Sequence, residues 1–162
     1  MKTIQLLFVF GLLIISCNSP NTKKEAESTE TLPTKEIDYQ VGLIFINDYL
    51  EFLYNFDENS NRVNWINQRK DVSTKFKTEL KTLEDAAEKE NPEYGLGFDP
   101  ILDAQDSPSK FEIESKKENY LIVRGVDWPD FRLTIKLIHD KENWLVDGAG
   151  VINVPKDQRI ER

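Results

Sequence analysis

Residues 131–137 read Phe-Arg-Leu-Thr-Ile-Lys-Leu, and this stretch decides the fold of the C-terminal half. Apolar side chains take every second position, which is typical of a strand with one buried face and one wet face. Further strands are predicted on either side of it, over residues 111–114, 120–123 and 144–152. Short polar turns, 116–119 and 140–143, predict an antiparallel meander, because parallel strands need longer crossovers. Gly148 and Gly150 predict a bulge or a close backbone approach in the last strand.

The N-terminal half has helical spacing instead. Apolar residues recur three and four apart from Ile37 to Phe56, which predicts a long amphipathic helix. A short helical turn is expected around Trp65, and a second amphipathic helix from Ser73 to Lys89. Asn91-Pro92 should end that helix, because the residue before a proline is pushed out of helical geometry. Helices followed by strands predict an α+β domain, with N-terminal helices packed on a curved four-stranded antiparallel sheet.

The first 17 residues have the features of an export signal that ends at a cysteine. Lys2 precedes an uncharged apolar run over 6–15, shorter than the ~20 residues that a membrane span needs. Ile14-Ile15-Ser16-Cys17 resembles the lipobox of bacterial lipoproteins, which implies cleavage after Ser16 and lipid attachment at Cys17. An uncleaved signal anchor is the alternative. Cys17 is the one cysteine of the chain, so no intramolecular disulfide can form.

The chain therefore divides into four predicted segments. Residues 1–16 are a signal peptide, and 17–36 are the lipidated cysteine and a flexible tether, too polar to bury surface. A single domain follows over 37–156, with a C-terminal tail over 157–162. The net charge of −8 would repel phosphate, so nucleic acid is not an expected partner. This negative charge would also repel anionic lipid headgroups, so the lipid on Cys17 is expected to provide the membrane attachment.

The loop over 91–108, between helices and sheet, is the least periodic part of the chain and the predicted binding loop. Asp99, Asp103 and Asp106 are spaced four and three apart, unlike a calcium loop, and no fourth ligand is in view. Turn capping and acceptance of backbone N–H groups are therefore favoured over metal binding. No metal or cofactor is expected.

Six residues are candidates for a binding surface. Five lie in or beside the loop, and the sixth is a tryptophan in the turn over 126–130, which either contacts a partner or folds back over the sheet edge. The candidates are Tyr94, Asp99, Asp103, Gln105, Asp106 and Trp128.

Asp99-Pro100 and Gln105-Asp106, followed by a meander whose closing strand carries Trp144, resemble the domain-of-unknown-function 3828 family. Its members are largely bacterial lipoproteins or exported proteins, and the resemblance covers about residues 37–154. It implies a fold similar to cystatin-like and nuclear-transport-factor-like α+β cones. It implies no catalytic residues, and the fold alone supplies none.

The residues offer little for catalysis. His139 is the single histidine and is expected to face solvent at a strand end, and the chain has no nucleophile elbow, phosphate loop or dinucleotide fingerprint. The predicted function is a non-catalytic binding or accessory module, lipid-anchored in the cell envelope, in the outer membrane and facing the periplasm or the surface. Its partner would be an envelope protein or a small ligand.

Three other functions stay open. One is a special case of binding, an immunity-type inhibitor whose acidic surface suits a basic toxin. Another is a structural component of the envelope. The third is a carboxylate- or metal-dependent hydrolase that uses the Asp99–Asp106 loop, with Asp147 as a further convergent carboxylate.

Overall fold

The computed structural model describes residues 36–161. The predicted signal peptide, Cys17 and nearly all of the predicted tether lie outside these residues. Three helices precede a four-stranded antiparallel sheet of order β1-β2-β3-β4, so the predicted α+β class is confirmed. The elements are α1 (Tyr39–Tyr54), α2 (Arg62–Gln68), α3 (Thr74–Glu90), β1 (Phe111–Lys117), β2 (Tyr120–Gly125), β3 (Arg132–Asp140), β4 (Asn143–Ala149) and a 3-10 helix (Lys156–Gln158).

The long helix α1 lies against the sheet through one apolar face. Phe45, Ile46 and Tyr49 are fully buried there, and burial of each such side chain stabilises the fold by about 1.5–3 kcal/mol. A Cβ atom on Gly42 would lie 3.0 Å from Leu121 Cδ2, so the missing side chain lets helix and sheet approach closely. The predicted apolar stripe is wider than the buried face, since Ile44 is 54% exposed.

Side-chain caps fix the starts of α2 and α3. The Asn61 side chain accepts a hydrogen bond from Asn64 N, and Ser73 Oγ accepts one from Phe76 N. Each cap satisfies a backbone N–H that has no partner within the first helical turn. Helix α3 ends before Pro92 at Asn91, as the sequence predicts.

The three strand pairings form a meander, in which two of the three connections are tight two-residue turns and the connection from β2 to β3 spans residues 126–131. β1 and β2 meet at Glu118-Asn119, and β3 and β4 meet at Lys141-Glu142. β4 contains a bulge, because Leu137 pairs with Val146 whereas Lys136 pairs with Gly148, which leaves Asp147 as the extra residue. The bulge predicted from the glycines of this strand is therefore confirmed.

The prediction that the last strand continues to Ile152 is wrong. Gly150 has a φ of 56°, a conformation that favours glycine, and the chain turns there. A Cβ atom at Gly150 would lie 2.5 Å from the backbone oxygens of both Pro100 and Ile101. Val151 N donates to Pro100 O, so this turn packs directly on the binding loop.

Buried polar contacts join α3 to the bulge of β4. Ser73 Oγ donates to Asp147 Oδ1 at 2.7 Å, and Lys136 Nζ lies 2.8 Å from Asp147 Oδ2. Asp147 is only 2% exposed, and these two partners satisfy its buried carboxylate oxygens. The Ser73 side chain thus caps α3 and anchors the sheet at the same time.

The segment that the sequence assigns to a tail contacts the domain. Thr134 Oγ1 donates to Gln158 O at 2.8 Å, and Arg159 donates to Val151 O and Val154 O. Thr134 is 4% exposed although the alternation of β3 places it on the face away from Leu133 and Ile135. The 3-10 helix therefore shields part of the second sheet face.

Within residues 36–161, no helix has the length and apolar character to cross a membrane.

Candidate functional site

The binding loop connects α3 to β1 and is held in place by Asp99. Asp99 Oδ1 accepts hydrogen bonds from Ile101 N and Leu102 N, each at 2.9 Å. The backbone of Asp99 pairs with that of Ala104 in both directions. These bonds are the turn-locking role that the sequence predicts for Asp99.

The other oxygen of Asp99 meets side chains from two helices. Tyr49 donates to Asp99 Oδ2 at 2.5 Å, and Arg62 Nη2 lies 3.2 Å from the same oxygen. Arg62 Nη1 also lies 2.5 Å from Glu84 Oε1, on α3. A single guanidinium therefore links α2, α3 and the loop.

Burial governs the protonation of this cluster. It raises the pKa of the Tyr49 hydroxyl far above its usual value, and the negative charge of Asp99 raises it further. Burial alone would lower the pKa of Arg62, but attraction from the carboxylates of Asp99 and Glu84 raises that pKa. Arg62 Nε is buried and has no hydrogen-bond partner among the described residues. The cluster therefore places a neutral phenol beside the ion pair of Arg62 and Asp99, and it serves to hold the loop.

The loop and the turn after β2 enclose a second feature, which we call the Trp128 pocket. It is an open cavity of about 480 Å³, and four of the six candidate residues line it. Its walls are Asp103, Ala104, Gln105, Asp106, Trp128, Asp130, Phe131, Arg132, Ile160 and Glu161.

The tryptophan of this pocket is both exposed and firmly placed. Trp128 is 45% exposed, and its ring packs edge-on against Phe131 with 5.2 Å between the centroids. Trp128 O accepts from Phe131 N, and both carboxylate oxygens of Asp127 accept from Ser109 N. That backbone N–H lowers the pKa of Asp127. The turn is thus tied to the end of the binding loop, with one part of the indole packed and the rest in solvent.

The remaining candidates lie on a neighbouring cleft of about 850 Å³, which Tyr94, Phe98, Asp99 and Gln105 help to line. Tyr94 is 72% exposed there. Gln105 Nε2 donates to Gly97 O, so its side chain braces the loop between the two cavities. The six predicted residues therefore divide: Asp99 and Gln105 hold the loop, Tyr94 lies on the cleft, and the others line the Trp128 pocket.

The four aspartates of the hydrolase alternative do not all converge on one site, although Asp103 and Asp106 both line the Trp128 pocket. Asp99 is engaged with Tyr49 and Arg62, whereas Asp103 lines the Trp128 pocket, and Asp147 is buried at the β4 bulge. Within residues 36–161, no group of three or more His, Cys, Asp or Glu side chains is placed to hold a metal ion. His139 is exposed on β3, with its ring 5.1 Å from that of Trp144.

Sequence reasoning missed several residues of this region. Asp130 shares the predicted turn with Trp128, so its proximity could have been inferred. Ile160 and Glu161 were assigned to a tail, and no periodic pattern marks them. Arg62 and Glu84 lie on two different helices, and nothing in either segment indicates that they meet at Asp99.

Neither family models, nor curated proteins, nor solved structures give a match to this chain. The resemblance to the domain-of-unknown-function 3828 family, and the cone geometry that it implies, stay predictions.

Proposed function

We propose that the chain is a lipid-anchored envelope lipoprotein that acts by binding a partner and not by catalysis. Cys17 would carry the lipid, residues 18–36 would be the tether, and the domain would present its binding loop and Trp128 turn to an envelope protein. The observation that carries this proposal is the Trp128 pocket, which combines a half-exposed indole with a cavity of about 480 Å³ on a braced loop.

Two general properties of binding surfaces support this assignment. Tryptophan is among the residues that most often dominate binding energy at interfaces, because it buries a large, rigid surface at little entropic cost. Loops held by a rigid scaffold are also where binding residues concentrate. Here Asp99 and Gln105 supply the bracing, so the surface needs little ordering when a partner docks.

The test is site-specific photo-crosslinking of the full-length protein in its native membranes. A photoreactive residue at exposed Ser107, which lies beside the pocket, is compared with one at exposed Lys117, at the far end of β1. We expect a discrete adduct from Ser107 and none from Lys117. A Cys17→Ala form of the Ser107 protein should lose the adduct, because without the lipid it leaves the membrane.

Equal adducts from both positions would mean that the contact is not specific to this face. Absence of any adduct from Ser107, in a protein shown to be lipidated and abundant, would overturn the proposal of a protein partner. A small ligand would then become the leading candidate, since a cavity of about 480 Å³ falls within the usual range of about 300–1,000 Å³ for ligand sites.

A further inference from the structure

The Trp128 pocket carries a strong imbalance of charge. Four carboxylates line it, from Asp103, Asp106, Asp130 and Glu161, against the single guanidinium of Arg132. Arg132 Nε is already 2.9 Å from Glu114 Oε1, outside the pocket. Among the described residues, none of the four carboxylates forms an ion pair. The pocket therefore presents unneutralised negative charge beside an apolar surface.

Among residues 36–161, a cation lies over the rings of Phe45, Trp65 and Tyr39, but none lies over the indole of Trp128. The Arg69 guanidinium lies 4.9 Å from the ring centre of Trp65, and Lys116 Nζ lies 5.1 Å from that of Tyr39. No cation from residues 36–161 lies in that way over Trp128. The face of an indole attracts cations, and nearby carboxylates strengthen that attraction.

We propose that the Trp128 pocket receives an arginine or lysine side chain from a basic segment of a protein partner. The aliphatic stem would pack between Trp128 and Ile160, and the charged end would meet the carboxylates of Asp106 and Asp130. Arginine suits the pocket better than lysine, because its planar group stacks on an indole and pairs with two carboxylate oxygens at once. The inference rests on the proposed binding function and specifies the chemistry of its partner.

Hexa-arginine is the probe for the first test, with hexaglutamate as the charge control. The full-length protein is held in zwitterionic detergent micelles, and the indole N–H signals are followed by NMR. The indole N–H signal of Trp128 should shift on titration with hexa-arginine and should not shift with hexaglutamate. The indole signals of Trp65 and Trp144 should not shift with either peptide. Trp65 packs among aromatic rings, and Trp144 donates a hydrogen bond to Glu36 O.

Matched double variants test the charges. Asp106→Asn with Asp130→Asn removes two pocket carboxylates, and Glu118→Gln with Asp140→Asn removes two at the turns of the opposite sheet end. β3 runs from Arg132 to Asp140, so that end lies roughly 26 Å away. We expect the dissociation constant for hexa-arginine to rise about three- to tenfold in the pocket variant and to stay within about twofold in the control. Trp128→Leu should raise the dissociation constant for hexa-arginine about two- to fivefold.

An unshifted Trp128 signal would overturn the inference, because hexa-arginine would then not contact the pocket. Equal weakening in both double variants would also overturn it, because the attraction would then come from the overall charge. The crosslinking experiment separates this failure from failure of the binding function itself. If the Ser107 adduct persists unchanged in the Asp106→Asn/Asp130→Asn protein, a partner binds without using the pocket charges. In that case the proposed function stands and the basic-segment inference falls.

Discussion

Tyr49 links helix α1 to the binding loop through one hydrogen bond to Asp99. Its ring is fully buried among aromatic neighbours, and its hydroxyl donates to Asp99 inside the structure. Ionisation would place a second negative charge beside that carboxylate in a poorly solvated position, so the pKa of Tyr49 is raised. The phenol therefore stays protonated while the protein is folded.

This raised pKa predicts a specific dependence of stability on pH. The unfolded chain loses the Tyr49 proton near pH ~10, whereas the folded chain keeps it. Above that pH the chain must therefore take up a proton in order to fold, which becomes less favourable as the pH rises. The stabilisation is complete below pH ~10 and falls as the pH rises. In Tyr49→Phe, the free energy of unfolding should fall less steeply above pH ~10.5, by about 1.4 kcal/mol per pH unit.

Urea unfolding of both proteins between pH 9 and pH 11.5 measures the difference in slope. Tyr54→Phe is the matched control, because Tyr54 is 90% exposed and its hydroxyl meets water in either state. Its slope should equal that of the wild type. Parallel slopes for wild type and Tyr49→Phe would show that Tyr49 ionises in the folded protein.

The role of Asp99 was predictable from local sequence, but its partners were not. An aspartate before Pro100 in a loop commonly accepts the backbone N–H groups that follow it, and two such bonds are present. Arg62, by contrast, lies 37 positions earlier, and its long side chain reaches Asp99 only because α2 packs beside the loop. Such a contact follows from the tertiary fold and leaves no periodic signal.

At the scale of elements, Ser73 performs two tasks that are usually separate. Its hydroxyl accepts from Phe76 N as the cap of α3 and donates to buried Asp147 on β4. Loss of a helix cap costs about 1 kcal/mol, and leaving a buried acceptor without its donor costs about 1–3 kcal/mol more. Ser73→Ala should therefore lower the free energy of unfolding by about 2–4 kcal/mol.

The exposed cap of α2 supplies the comparison. Asn61→Ala removes only the hydrogen bond to Asn64 N and should cost about 1 kcal/mol. Urea denaturation at neutral pH checks both variants. Equal losses would mean that the contact between Ser73 and Asp147 contributes nothing beyond the cap.

Element types were predictable from periodicity, while some element ends were not. Alternation along 131–137 and the three-four spacing of α1 each reflect a single buried face, and the predicted helix ends lie within two residues of those observed. The early end of β4 depends instead on the backbone of Pro100 and Ile101, which leaves no space for a side chain at Gly150. A glycine in a strand indicates such an approach but does not say where the strand stops.

At the scale of the whole molecule, the Trp128 pocket assembles from three distant parts of the chain. The binding loop, the turn after β2 and the C-terminal residues contribute one wall each. The sequence indicated the first two as candidates, because both are aperiodic and carry distinctive residues. It could not indicate the third, since the antiparallel order of the sheet and the turn at Gly150 bring the C-terminal segment to this place.

The C-terminal segment therefore provides a test of both the domain boundary and the pocket. Deleting residues 157–162 removes the acceptor of Thr134 Oγ1 and the hydrogen bonds from Arg159 to Val151 O and Val154 O. At about 0.5–1.5 kcal/mol for each net hydrogen bond, the free energy of unfolding should fall by about 2–4 kcal/mol. Loss of Ile160 and Glu161 should also weaken hexa-arginine binding.

A point variant separates the two effects. Glu161→Gln keeps every hydrogen bond of the segment and removes one pocket charge, so it should leave stability unchanged and raise the dissociation constant about two- to threefold. Urea unfolding and the same titration give both quantities. If the deletion changes neither the free energy of unfolding nor the dissociation constant for hexa-arginine, residues 157–162 are a tail, as the sequence alone predicts. If it lowers stability while Glu161→Gln affects only binding, the domain extends through Glu161, and its last residues both cover the sheet and shape the pocket.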